Sequence, residues 1–82
     1  MGNITQVALA SFPPGQTAPL HKHDDMFETF IVQKGQGEIT VDDRVMQIRE
    51  GDCIVVSPGE RHEIKNVGNE VMEVLNIGEE IK

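Results

Sequence analysis

Apolar positions along this chain come in short runs that alternate with polar ones, and turn residues cut each run before a helical period can develop. Ile4–Phe12 opens with apolar and small residues and stops at Pro13-Pro14-Gly15. Leu20–Asp24 is a short segment carrying two histidines. Phe27–Gln33 is dense in β-branched and aromatic residues and closes at Lys34-Gly35. Glu38–Val41 and Arg44–Ile48 alternate around Asp42-Asp43, the pattern of a hairpin with a two-residue turn. Cys53–Val56, His62–Lys65 and Val71–Ile77 complete the set, separated by Ser57-Pro58-Gly59 and by the stretch from Asn66 to Glu70. About eight short, evenly spaced strands with no helical periodicity predict an all-β sandwich or barrel.

Length narrows this further. Residues 1–82 suffice for one domain and not two. A domain this short buries a modest share of its surface, so a bound metal or a partner subunit is the expected supplement. Ile4–Phe12 is rich in apolar residues on both faces, and an exposed edge strand of that kind is covered when two copies pair, so a homodimer is expected. No apolar run approaches a membrane span. No basic residue precedes the apolar stretch of Met1 to Phe12, which argues against a signal peptide. Gln6 stands where a myristoylation signal wants Ser or Thr. The lone Cys53 fits a reducing cytoplasm. A net charge of −7 with scattered Lys and Arg disfavours nucleic acid.

The three histidines carry the chemistry. His21 and His23 are two apart in a β segment, so both rings are expected on one strand face. Glu28 lies five residues on, past a bend at Asp24-Asp25, and His62 follows the Pro58-Gly59 turn on a distant strand. Three imidazoles and a carboxylate suit one divalent first-row ion such as Mn, Fe, Co, Ni, Cu or Zn, whereas Ca and Mg prefer all-oxygen shells. Four protein ligands leave an octahedral ion two open positions for water or a small molecule.

Gly15, His21, His23, Glu28 and Gly35 stand at the spacings G-x5-H-x-H-x4-E-x6-G, and Gly51, Gly59, His62 and Asn66 at G-x5-P-x-G-x2-H-x3-N. These stretches resemble the two motifs of the cupin family, with Ser57 where the second motif usually has Pro. The adjacent Pro58 still fixes φ in that turn. The resemblance spans residues 15 to 66. It implies a jelly-roll, or double-stranded β-helix, barrel with a metal inside one mouth. It further implies His21, His23, Glu28 and His62 as the ligands and the four glycines as turn residues needing positive φ or close approach.

Other residues have plainer readings. Asp24, Asp25, Asp42 and Asp43 read as turn residues, Lys22 as a solvated or interface side chain, and Met26, Met46 and Met72 as core filling. Phe30, Ile54 and Val56 are expected to line the barrel interior by strand parity. Cys53 has no neighbouring base or cation and reads as a small buried hydrophobe.

Two functions follow. The first is a metal-dependent enzyme acting on a small organic molecule, with a dioxygenase its sharpest form and a sugar or sugar-phosphate isomerase an alternative. The second is a non-catalytic module that binds metal and a small ligand. Against catalysis, the chain has no Tyr or Trp and only three His. A further base would have to be Glu28 on detaching, Asp24, Asp25, Glu60 or a metal-bound hydroxide.

Overall fold

A computed structural model describes the backbone of residues 3–22 and 24–81, and the side chains of residues 4–18 and 24–81. Eight strands follow in order: β1 (Asn3–Phe12), β2 (Thr17–Lys22), β3 (Met26–Lys34), β4 (Gln36–Val41), β5 (Arg44–Arg49), β6 (Cys53–Val56), β7 (Arg61–Lys65) and β8 (Met72–Glu80). They form two four-stranded antiparallel sheets, ordered β1-β8-β3-β6 and β2-β7-β4-β5. This is the all-β jelly-roll barrel expected from the sequence.

Period-two alternation puts one set of side chains between the sheets. On β3, Glu28, Phe30 and Val32 are buried while Phe27, Thr29 and Ile31 face out. Phe12, Val56, Met72 and Val74 join them from the same sheet, and Ile39, Val41, Ile48 and Ile64 come from the other. Each large apolar side chain withdrawn from water in this way contributes about 1.5–3 kcal/mol before entropy is counted.

The turns behave as their residues require. Asp42 adopts φ 55° in the two-residue β4–β5 turn, a left-handed conformation that Asp tolerates. Gly15, Gly35, Gly51 and Gly59, the motif glycines, all have positive φ. At Gly35 (φ 80°) a Cβ would also sit 2.7 Å from the Val71 carbonyl oxygen, so both conformation and space demand glycine there. Met72 is fully buried, whereas Met26 and Met46 are partly buried. Cys53 is exposed, contrary to expectation. It lies on the edge strand β6 opposite Ile31, and that register turns it to the outer face of the sheet.

Candidate metal and ligand site

Glu28 and His62 reach the barrel interior from opposite sheets. Glu28 is on β3, between Val56 of β6 and Gly78 of β8. His62 is on β7, between Val41 of β4 and His21 of β2. Both are buried, at 4% and 2% exposure, and Glu28 Oε2 lies 3.0 Å from His62 Nε2. Ionisable side chains are kept out of water at this depth only when paired or bound to a metal.

The turn before His62 is held firmly. Asp42 donates its N–H to the Arg61 carbonyl (2.8 Å), and its Oδ1 accepts the Arg61 N–H (3.0 Å). Glu60 accepts the Ser57 N–H at 2.7 Å and pairs with Arg44 at 2.9 Å. Its carboxylate therefore closes a turn, which argues against Glu60 as a catalytic base. The Phe30 ring stands 5.2 Å from the His62 ring, centre to centre, and restricts its orientation.

The backbone of His21 pairs with that of His62, and the two residues of β2 between Ala18 and His21 oppose the single residue Glu63 of β7, the signature of a bulge. The side chain of His21 and the whole of His23 lie outside the described residues. Among the described residues, no three His, Cys, Asp or Glu side chains converge on a point. The structure thus brings together two of the four expected ligands, with the backbone of a third beside them.

The donor set fits a transition metal. Two ligands bound at about 2.1 Å and a right angle to one another lie about 3 Å apart, which matches the separation of Glu28 Oε2 and His62 Nε2. Imidazole nitrogen with carboxylate oxygen is the combination that such ions favour.

Sequence reasoning missed Asn76. It occupies an inward position on β8, opposite Phe30, and its Nδ2 approaches Glu28 Oε1 at 3.4 Å. Its Oδ1 is buried with no hydrogen-bond partner among the described residues. The available signal was parity: Met72 and Val74 face inward, so an Asn two positions on brings an amide into an apolar interior.

Asn76 and His62 border a cavity of about 140 Å³ whose remaining walls are apolar, chiefly Phe12, Phe30, Ile64 and Val74. Phe30 lines it as expected. Ile54 and Val56 are not among its described walls, because β6 lies across β3 from the β1–β8 side of the sheet.

Comparison with known proteins gives a consistent picture. The profile described as the cupin domain matches residues 8–78. The chain is 34% identical over 70 residues to the oxalate-binding protein of Thermotoga maritima, covering 85% of this chain and 58% of that one. It is 33% identical over 69 residues to an uncharacterised protein of Methanocaldococcus jannaschii, covering 84% and 55%. The chain therefore spans less than two thirds of the length of these curated relatives. A 76-residue match at 34% identity also falls within the mannose-1-phosphate guanylyltransferase of Sinorhizobium fredii, covering 93% of this chain and 15% of the enzyme. The crystal structure of a predicted oxalate decarboxylase from Thermotoga maritima superposes with a TM-score of 0.94 at 30% identity, covering 96% of this chain and 69% of that one.

Proposed function

The chain belongs to the cupin family, and on that premise we propose that residues 1–82 act as a single cupin domain holding one divalent transition metal ion on His21, His23, Glu28 and His62. The observation that carries the reading is the buried approach of Glu28 to His62, 3.0 Å apart across the two sheets. A bound ion would supply Lewis acidity and, if it is iron, oxygen chemistry.

The protein's own residues shape the ligand. Phe12, Phe30, Ile64 and Val74 exclude water from the cavity beside His62, and Asn76 offers an amide at its border. No Lys or Arg is among its described walls, which disfavours a sugar phosphate and the isomerase reading. A small oxygen chelator, held by its carboxylate or keto oxygens and otherwise in apolar contact, fits better. The relative named an oxalate-binding protein makes oxalate the first probe. Apart from the proposed ligands, the described walls carry no proton-transfer group. That supports metal-centred oxygenase chemistry over isomerisation, which needs a separate base. The same lack of a base supports ligand binding without turnover as the second reading. The domain works as a homodimer, in a cytoplasmic setting that suits its unpaired cysteine.

The test is metal analysis of the wild type beside His62→Ala, followed by an oxygen-uptake screen of small chelating acids and diketones. One ion per wild-type chain and less than a tenth of that in the variant is the expected outcome. Failure of the wild type to take up any transition metal on reconstitution would overturn the reading. Oxygen uptake separates the enzyme from the binding module.

A further inference from the structure

Register sorts the barrel interior into layers, because residues directly opposite across an antiparallel ladder project to the same side. One layer holds Phe30 and Asn76, opposite each other on β3 and β8, and His62, whose ring meets that of Phe30 from the other sheet. Two positions along the strands, the next layer holds Val32, Val74 and Ala10 in one sheet and Ile39, Ile64 and Ala18 in the other. The inner strands of that layer supply buried Val and Ile. The edge strands β1 and β2 supply only alanine.

Those two alanines account for the cavity of about 140 Å³ beside His62, which both of them line. Each offers one methyl group where a longer aliphatic side chain would close the space. β1 and β2 are terminal strands of different sheets, so no ladder draws them together. Ala10 faces inward by its register with Val74 and is nevertheless exposed, which places an opening beside it.

Protein interiors leave few voids larger than a water molecule. Of the described walls of this one, only His62 and Asn76 carry polar side chains, too few to hold the several waters it has room for. Apolar cavities of about 150 Å³ take up a benzene molecule.

We propose that this cavity seats a hydrophobic tail of about one benzene ring, so that the ligand is a 2-keto or 2-hydroxy acid bearing an aryl or branched alkyl group. The acid head belongs to the layer of His62 and Asn76. The tail runs towards Ile64 and Val74, one layer on, about 6.7 Å along the strands. Oxalate fills the head position and leaves the tail layer empty. Ala10 and Ala18 then determine specificity, since every carbon added there takes room from the tail and none from the head. The head rests on the metal reading above; the seat for the tail does not.

Calorimetric titration of the metal-loaded chain with 2-keto acids that share one head and differ in tail tests this. Each tail carbon withdrawn from water gains about fourfold in affinity. On that scale 4-methyl-2-oxopentanoate exceeds pyruvate by about thirtyfold and phenylpyruvate by about a hundredfold. Ala10→Leu removes at least about tenfold of the phenylpyruvate affinity, while oxalate, with no tail, binds as before. Ala18→Leu repeats the result from the other sheet. Metal-free protein gives a separate reading, in which benzene shifts the methyl resonances of Ala10, Ala18, Ile64 and Val74 in the wild type and not in Ala10→Leu. Oxalate binding with a flat keto-acid series overturns the tail and spares the metal reading. Benzene shifts in a protein that takes up no metal uphold the seat while the metal reading falls. Wall methyls that ignore benzene overturn the seat itself.

Discussion

At one end of the barrel Asn66 is completely buried, and both polar atoms of its amide are committed to backbone. Its Nδ2 donates to the carbonyls of Phe12 (2.8 Å) and Glu70 (2.7 Å), and its Oδ1 accepts the Gly68 N–H (2.9 Å). Its own N–H and carbonyl tie Gln16 and Gly15, each at 3.0 Å. At the other end, Glu28, His62 and Asn76 are directed into the interior and towards one another, beside a cavity. Both ends take polar groups out of water. The first uses them to lock the end of β1 to the β7–β8 connection; the second leaves them facing a space that can hold a ligand. Residues of one sequence motif, Asn66 and His62, thus serve opposite purposes four positions apart.

The sharpest way to break this contrast is Asn66→Ala. Three side-chain hydrogen bonds disappear from buried or part-buried backbone groups, at roughly 1 kcal/mol each, for a loss of about 3 kcal/mol. Urea denaturation reads this directly, and metal stoichiometry of the folded fraction stays unchanged. A loss of metal at full stability would reverse the assignment of the two ends.

Metal removal probes the opposite end with a slightly smaller effect. If the proposed site holds an ion, free metal at a hundred times its dissociation constant would stabilise the native state by about 2.7 kcal/mol. Chelator should lower the melting temperature of the wild type accordingly. His62→Ala should show no difference between chelated and metal-supplemented samples. A melting temperature that ignores chelator in both proteins would reduce Glu28 and His62 to a structural pair.

Much of this architecture was legible beforehand, for physical reasons that also explain the misses. Cys53–Val56 has the expected bounds because Gly51-Asp52 and Ser57-Pro58 punctuate it on both sides. β2 starts at Thr17, earlier than Leu20, because Thr17 and Ala18 pair with Lys65 and Ile64, a tertiary ladder with no local trace. β8 runs on to Glu80 because both β1 and β3 pair along it. Cys53 misled because its residue type favours burial while its parity on an edge strand dictates exposure. Motif spacing singles out Glu28 and His62, and the two side chains meet 3.0 Å apart across the sheets. Asn76 lies beyond both motifs, and only the inward parity of β8 singles it out.

Asn76 therefore sharpens the comparison at its finest grain. If the cavity end is built for a ligand, its amide should matter more to binding than to folding. The bond to Glu28 is long at 3.4 Å, so Asn76→Ala should cost less than about 1 kcal/mol of stability, well below Asn66→Ala. Its Oδ1 is buried without a hydrogen-bond partner among the described residues, and its Nδ2, held by Glu28 only at 3.4 Å, can donate to a ligand carboxylate in the cavity that Asn76 borders. Calorimetric titration of the metal-loaded protein with oxalate or a small keto acid should then show affinity falling five- to tenfold, about 1–1.4 kcal/mol, with metal content intact. Asn76→Asp, which keeps the acceptor but adds a charge near Glu28, should bind anionic chelators more weakly still. Equal affinities in wild type and Asn76→Ala, with stability reduced as far as in Asn66→Ala, would make Asn76 a second clamp and erase the distinction between the two ends.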